Sequence, residues 1–263
     1  MRKLLCLVFV LLLSSALVSQ LNAQDNIYTD RPTQTTSSAA VPMGAFQFET
    51  GFYMLEYSSS NLIGGTDKYQ YFSINNTLLR YGISDRIELR FYQEMYTDRL
   101  VSDGSTAFSN SLTFVPTMIG AKFNLVQNNP NLPDIGLIAS FGGGVFEETG
   151  NGLQSDIRFA FDGSLGQELS ISSNLGLSMS NGFDFVTPFY TLVLGHSLDN
   201  KVGIFVEAYG SFPEIGTSSH SMDAGLTYLL NSSLQLDVYG GTGLSNGSAN
   251  LLLGFGLSKR FLK

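Results

Sequence analysis

The residue types best suited to nucleophilic catalysis lie together in the segment SSHSMD, residues 218–223. This segment contains Ser219, His220 and Asp223, which are the residue types of a hydrolase triad. A triad is defined by the geometry of its members in the folded chain, however, and closeness in sequence says little about that geometry. We therefore predict that the protein is not an enzyme, and keep a hydrolase that uses Ser219 and His220 as an alternative.

Metal and cofactor chemistry has little support in the sequence. His196 and His220 have no histidine, cysteine or carboxylate at the spacing of zinc ligands. The glycine-rich stretches 141–146 and 240–247 match no phosphate-loop spacing. We expect no metal site and no cofactor.

Charged side chains instead recur on every second residue, most clearly in the segment RIELRFYQEMY, residues 86–96. Successive side chains of a strand point to opposite faces, so this segment predicts a strand with one charged and one apolar face. The charged face holds Arg86, Glu88, Arg90 and Glu94. The apolar face holds Ile87, Leu89, Phe91 and Met95.

The same alternation predicts twelve strands along the chain. They span 44–57, 68–82, 86–96, 111–126, 135–146, 156–169, 175–184, 189–198, 202–212, 221–230, 234–243 and 250–261. Short turns are predicted at 82–85, 170–174, 198–201 and 231–233, and longer loops at 58–67, 97–110, 148–156 and 213–220. Alternating short and long connections are typical of an up-and-down barrel in an outer membrane.

The N-terminus has the three parts of a secretory signal peptide: Arg2 and Lys3, an apolar run, and the small residue Ala23. We predict a signal peptide at 1–23, which contains the only cysteine, Cys6, so the exported chain has no disulfide. Without Arg2 and Lys3, twelve basic residues remain against 22 acidic ones. This negative balance argues against nucleic acid as a partner.

A soluble sandwich or lipocalin-like barrel also has alternating strands, but it turns the apolar face inward. Export, an even strand count and polar faces with few lysines favour the membrane form. A bilayer further requires closure, because unpaired strand edges are not tolerated in hydrocarbon. The sequence therefore predicts an all-β fold, an up-and-down antiparallel transmembrane β-barrel of about twelve strands. Aromatic girdles at the lipid interface are expected from Tyr57, Tyr69, Tyr81, Tyr96 and Tyr228.

Four stretches resemble the outer-membrane family named for the MetA-pathway of phenol degradation, a family of transporters. They are TDRPTQTTSSAAVPMGAFQFETG (29–51), LLRYGISDRIELRF (78–91), MIGAKFNL (118–125) and SMDAGLTYLLNSSLQLDVYGGTGLS (221–245). The resemblance covers nearly all of the exported chain. It implies a barrel in the outer membrane of a Gram-negative bacterium that passes small molecules, including hydrophobic or aromatic ones.

Charged positions that strand parity assigns to the lumen form a second pattern. They are Glu49, Arg86, Glu88, Arg90, Glu94, Lys122, Arg158, Asp162, Glu168, Glu207, Asp223 and Asp237. Such charges either brace the barrel as salt bridges or form a constriction that selects solutes. Both interpretations remain open at this point.

The polar segment 24–43 precedes the barrel, which is predicted at 44–263. We predict that this segment enters the lumen from the periplasmic side and pairs with lumen charges as a plug; a disordered tail is the alternative. Candidate solute contacts are Asp30, Arg31, Glu49, Arg86, Glu88, Arg90, Glu94, Lys122, Arg158 and Asp162.

Together these patterns predict a porin-like channel or transporter for passive or gated passage of small molecules. Its expected partners are outer-membrane lipid, the small solute and the outer-membrane assembly machinery, and the protein is expected to be a monomer. The alternatives are an outer-membrane hydrolase and a structural or interaction barrel with a filled lumen.

Overall fold

The computed structural model describes residues 26–60, 65–143, 153–166 and 168–262. The predicted signal peptide lies outside these residues. Within these ranges no helix is long and apolar enough to cross a membrane.

The described residues form fourteen β-strands, which we number in chain order. They are β1 (Phe46–Ser60), β2 (Thr66–Ser84), β3 (Ile87–Ser102), β4 (Ser105–Ser109), β5 (Thr113–Phe114), β6 (Thr117–Val126), β7 (Asp134–Gly143), β8 (Gln154–Ser164), β9 (Leu169–Ser180), β10 (Phe185–Ser197), β11 (Val202–Ser211), β12 (Ser219–Asn231), β13 (Leu234–Gly243) and β14 (Leu251–Phe261).

Twelve of these strands close into an antiparallel barrel. β1 to β3 and β6 to β14 each pair with the next barrel strand along the chain. β14 returns to β1 in a register that runs from Phe46↔Phe261 to Glu56↔Leu251. β4 and β5 pair with β3 alone and lie outside the ring. The predicted all-β fold and its twelve barrel strands are thus confirmed.

The two faces of each strand differ in polarity, and the polar face is the buried one. In β13, Gln235, Asp237 and Tyr239 are buried, whereas Leu236 and Val238 are 40% and 53% exposed. A water-soluble barrel would show the opposite arrangement. The outer belt is therefore a lipid-facing surface, and its apolar side chains recur on every second residue because that is the period of a strand.

Two predicted boundaries in the second half of the chain are wrong. Residues 170–174 were expected to form a turn, but they lie in β9, where Ser170, Ser172 and Asn174 occupy the buried-face parity of the strand. A strand face made of serine and asparagine has the composition of a turn, so composition misleads here. Pro188 lies within β10 rather than in a connection, and its carbonyl accepts a hydrogen bond from the Phe212 N–H at 2.9 Å.

The predicted loop at 97–110 is also largely strand. β3 continues to Ser102, and β4 folds back along it after a turn that contains Asp103 and Gly104 with positive φ. The predicted strand 111–126 is divided into β5 and β6 at Val115 and Pro116. Proline lacks the N–H that would continue the ladder, which accounts for the break.

The two ends of the barrel differ in the length of their connections. The turns at 85–86, 198–201 and 232–233 lie at one end, as does the connection from β6 to β7. We call this the periplasmic end, because short turns face the periplasm in outer-membrane barrels. The opposite, outer end carries the extended tips of β1, β2 and β3 together with β4.

Candidate solute site in the barrel interior

Residues 26–44, which we call the inner segment, run from the periplasmic end into the barrel and back. The Ile27 N–H donates to the Ser232 carbonyl at 2.8 Å, and the Gly44 N–H donates to the Gly82 carbonyl at 2.8 Å. Both contacts lie beside the short turns. Between them the segment reaches Thr191, whose Oγ1 is 2.7 Å from the Thr35 Oγ1. The inner segment therefore occupies the periplasmic half of the interior.

Asp30 is the residue of the inner segment that contacts the largest number of charged side chains. Its carboxylate accepts hydrogen bonds from Arg90 Nη1 at 2.6 Å and from Lys122 Nζ at 3.1 Å, and Arg80 Nη1 lies at 3.6 Å. Burial raises the pKa of the Asp30 carboxyl, but the positive charges of Arg80, Lys122 and Arg90 outweigh burial and hold this pKa well below its usual range. Asp30 is thus a carboxylate anchored by three wall cations.

Arg80 links this contact to two acidic residues of the wall. Its guanidinium donates to Glu49 Oε1 at 2.9 Å and to both carboxylate oxygens of Glu88, each at 2.9 Å. Glu88 also accepts the Val41 N–H at 2.8 Å. All three charged side chains have no exposed surface. Each charge is paired, as buried charges require.

Arg31 makes a second ionic contact on the opposite wall. Its Nη2 donates to Asp237 Oδ1 at 3.2 Å and to the Phe255 carbonyl at 3.2 Å. The guanidinium lies over Gly51 and Gly256, where an added Cβ would come within 2.2 Å and 2.3 Å of its nitrogens. These two glycines leave the space that Arg31 needs.

Hydrogen bonds donated by backbone N–H groups hold the tip and the return of the inner segment. Glu207 accepts the N–H groups of Gln34 and Thr35 at 2.8 and 2.7 Å. Asn174 accepts the Thr36 N–H at 2.7 Å, and Asp162 accepts the Ser38 N–H at 2.6 Å. Backbone groups that would otherwise be unpaired inside the barrel are therefore satisfied by wall side chains.

Above the inner segment the interior opens into a cavity of about 540 Å³, which we call the vestibule. Its floor is the stretch Asp30 to Gln34 of the inner segment. Its walls carry tyrosine and aliphatic side chains together with Arg90, Arg158 and Asp156. A volume of this size falls in the range of roughly 300–1,000 Å³ that is typical of small-ligand pockets.

Glu94 differs from the other interior acids, because its hydrogen bonds come from phenols. Its Oε1 accepts the hydroxyls of Tyr53 at 2.6 Å and Tyr71 at 2.8 Å, and its Oε2 accepts the hydroxyl of Tyr92. No ion pair joins Glu94 to a basic side chain within the described ranges. It is a buried carboxylate stabilised by three neutral donors.

The structure places nine of the ten candidate solute contacts inside the barrel and one outside. Arg86 lies in the exposed turn before β3, so its assignment to the lumen is wrong. Glu168, another residue assigned to the lumen by parity, is exposed in the connection before β9. In both cases the predicted strand was extended into a turn, where parity has no meaning.

Several interior residues were missed by the sequence analysis. Arg80 is the central example, since it contacts three acids. Bulges at Ser73/Asn75 and Gly82/Ser84 interrupt the alternation of β2 and obscure its inward face. The position of Arg80 between Leu79 and Tyr81 was the available signal. Other buried polar residues absent from the predicted lumen set include Asp98, Asn174 and Arg260.

The expected aromatic girdle is incomplete. Tyr57, Tyr69 and Tyr96 lie on the inner face, where Tyr57 contacts Tyr69 and Tyr96 stacks on Tyr71. Tyr81 and Tyr228 are exposed on the outer face, at 47% and 37%.

The residues of the possible triad do not meet. Ser219 and Asp223 have the parity of the inner face of β12, and Asp223 is buried there, whereas His220 has the opposite parity. His220 Nδ1 lies 3.2 Å from the Tyr190 hydroxyl, and Ser219 Oγ lies 2.8 Å from Ser211 Oγ. No group of three or more His, Cys, Asp or Glu side chains suited to a metal ion occurs in the described part of the chain.

Comparison with known proteins gives one family and several barrels of similar fold. The family model described as "Putative MetA-pathway of phenol degradation" matches residues 29–261. No curated protein sequence matches the chain.

Three solved structures illustrate the similarity of fold. An outer membrane channel from Pseudomonas putida F1 has 13% identity and a TM-score of 0.63, over 88% of this chain and 100% of that chain. The toluene transporter TbuX of Ralstonia pickettii has 8% identity and a TM-score of 0.51, over 92% and 96%. The translocator domain of the autotransporter NalP from Neisseria meningitidis has 10% identity and a TM-score of 0.52, over 84% and 90%. At these identities the likeness concerns the fold.

Proposed function

This chain belongs to the MetA-pathway of phenol degradation family, and we propose that it is an outer-membrane channel for small molecules gated by its own inner segment. The apolar outer belt and the closed ring of strands place the barrel in the outer membrane.

One observation carries the gating proposal: the inner segment forms the floor of the vestibule. The interior is open above residues 30–34 and filled below them. The contacts that hold the segment are hydrogen bonds and ion pairs, and the predicted exported chain has no cysteine. A segment held in this way can leave and return, which a covalent plug could not do.

The walls of the vestibule suit a small solute with an apolar ring. Tyrosines from two walls face it, and Leu55, Leu78 and Leu252 lie between them. Such a lining offers apolar contact area and a few hydroxyl groups for hydrogen bonds. The description of the family refers to phenol degradation, and TbuX is a toluene transporter. Both descriptions agree with a small aromatic solute.

Catalysis is not part of the proposed function. The residues suited to it, Ser219, His220 and Asp223, lie on opposite faces of β12. A channel should therefore be indifferent to His220→Ala, and lipase or protease activity that disappears with this substitution would favour the hydrolase instead.

A single chain supplies every strand of the ring, which favours a monomer. β1 pairs with β14 over eleven residue pairs, so closure needs no second copy. We expect the outer-membrane assembly machinery to catalyse this closure, and lipid to cover the outer belt.

Deletion of residues 26–38 tests the gate. The variant should show a larger and steadier single-channel conductance than the intact chain, because the floor of the vestibule is gone. The control replaces the external stretch 103–112 by a short turn, which should leave the conductance unchanged. Heat-modifiable migration on a gel should first show that each variant forms a barrel.

Two outcomes would contradict the proposal. Equal conductance of the intact and deleted chains would mean that the inner segment does not close the path. A lack of permeation in both, in single-channel records and in liposome swelling, would favour the structural barrel with a filled lumen.

A further inference from the structure

Five tyrosines on the inner face of β1, β2 and β3 form a group that we call the tyrosine shelf: Tyr53, Tyr57, Tyr69, Tyr71 and Tyr96. Tyr53 and Tyr57 also line the vestibule. We propose that this shelf binds an organic cation of the quaternary ammonium or alkylammonium class. The inference goes beyond passage of solutes, since binding from the outer end requires no movement of the inner segment.

The rings of the shelf lie close enough to share one ligand. Tyr71 stacks between Tyr53, at 5.9 Å between ring centroids, and Tyr96, at 4.5 Å. Tyr57 and Tyr69 are tilted against each other at 6.2 Å and are 37% and 38% exposed. With Leu55 they line a groove of about 380 Å³ that opens beside the vestibule. Aromatic faces around such a space are a site for an ammonium group.

Two carboxylates lie behind the shelf without a basic partner. Glu94 accepts the hydroxyls of Tyr53 and Tyr71, which strengthens the negative potential of both rings. Asp98 is directly opposite Tyr71 in the β2–β3 register and accepts the Asn110 amide at 2.9 Å. Neither acid forms an ion pair with a basic side chain in the ranges that the structure covers.

The two basic residues nearest the shelf, Lys68 and Arg99, lie on the other face of the sheet. Lys68 pairs with Glu56 at 2.8 Å, and Arg99 lies 5.2 Å over the Phe72 ring. Both have the parity opposite to that of the tyrosines. At the level of the shelf, Glu94 and Asp98 thus lie on the same face of the sheet as the tyrosines, and Lys68 and Arg99 lie on the other face.

The opposite wall of the barrel holds a second pair of buried acids. Asp223 is 2% exposed, and neither of its carboxylate oxygens has a hydrogen-bond partner among the described residues. It is paired in register with Glu207, a second buried acid. Neither residue lines the vestibule, so Glu94 and Asp98 are the acids that serve the shelf.

The guanidinium groups that line the vestibule do not oppose this charge. Arg31 is paired with Asp237, Arg90 with Asp30 and Glu88, and Arg158 with Asp156. Each positive charge is neutralised by its own partner. Glu94 and Asp98 therefore set the sign of the potential at the shelf.

Calorimetric titration with choline tests the shelf. The exported chain is purified in a maltoside detergent, because phosphocholine detergents carry the same head group. Choline should bind at least about tenfold more tightly than 3,3-dimethylbutan-1-ol, which has the same shape without the charge. Equal binding of the two, or no binding of choline, would overturn the proposal.

Substitutions locate the site and separate it from general surface charge. Glu94→Gln keeps an acceptor for the tyrosine hydroxyls and should reduce choline affinity to that of the neutral alcohol. The control Glu56→Gln, on the outer face of the same hairpin, should leave the affinity unchanged. Equal losses in the two variants would contradict a site at the shelf.

A second pair of variants tests the rings without touching a buried group. Tyr57→Phe should retain choline binding, and Tyr57→Leu should weaken it severalfold, since only the latter removes the aromatic face. Equal binding by these two variants would rule out recognition by the ring. None of these titrations depends on conductance, so they can succeed or fail independently of the gating experiment.

Discussion

At the scale of single residues, the interior is organised by charges that pair across chain segments rather than along them. Arg80 of β2 joins Glu49 of β1 and Glu88 of β3 to Asp30 of the inner segment. Each of these groups would be costly to bury alone, and the cluster makes their burial tolerable. The cluster therefore fixes the inner segment and three strands relative to one another.

Arg80→Met should destabilise the barrel by roughly 3–5 kcal/mol, because it leaves Glu49 and Glu88 buried without their shared cation. Denaturant unfolding followed by heat-modifiable migration would measure the loss. Arg86→Met is the matched control in the same hairpin. Its side chain is exposed, so its effect should stay within about 0.5 kcal/mol. Similar effects of the two substitutions would contradict the role given to Arg80.

Gly256→Ala should loosen the inner segment without altering the strands. The added methyl group would lie 2.3 Å from Arg31 Nε, so the guanidinium must leave Asp237. Hydrogen exchange of residues 26–44 should become faster. Gly163→Ala is the control, since its methyl group would meet Ile171 at 3.5 Å, an ordinary contact. Unchanged exchange in Gly256→Ala would show that Arg31 does not hold the segment.

For single residues, the sequence predicts which face of the strand a charged side chain lies on better than it predicts the residue with which that side chain pairs. Parity separates Glu88 from Leu89 without any structure. The partner of Glu88 depends on the register between strands and on the path of residues 26–44. Neither can be predicted from the spacing of residues within one strand. Arg80 was missed because the bulges of β2 shift parity within one strand.

At the scale of elements, alternation identified the strands, and composition misplaced some of their ends. The alternation of β13 is unambiguous, with Leu236 and Val238 outside and Asp237 between them. In β9 the inner face is serine and asparagine, which resembles a turn. Strands with a polar lumen-facing side are thus the elements that composition identifies least well, because residues of the lumen and residues of loops both contact water and are polar.

Insertion of one glycine after Leu236 should prevent assembly, because every following side chain of β13 would change face. Asp237 would then face lipid, and the apolar residues would enter the lumen. A basic residue facing lipid at the bilayer midplane costs roughly 2–4 kcal/mol, and an acid such as Asp237 costs less. The same insertion after Asp103 lies in the turn between β3 and β4 and should be tolerated. Heat-modifiable migration of both variants measures this, and assembly of the first would contradict the assigned register.

At the scale of the whole molecule, the barrel is a closed wall with a filled periplasmic half and an open outer half. Closure follows from the number and spacing of the strands, and the sequence was sufficient for that. The shape of the interior depends on how residues 26–44 fold inside it. In the proposed gating, the inner segment closes the path without a partner protein and opens it without breaking the ring of strands.

The most direct test of this account tethers the inner segment to the wall and records the conductance. Thr35→Cys with Thr191→Cys places two sulfur atoms where the hydroxyl oxygens are 2.7 Å apart, within reach of a disulfide bond of about 2.05 Å. The oxidised double variant should show no openings, and addition of a reductant to the same membrane should restore them. The two single variants should not respond to the reductant. Equal currents through the oxidised and the reduced double variant would contradict the claim that this segment is the gate.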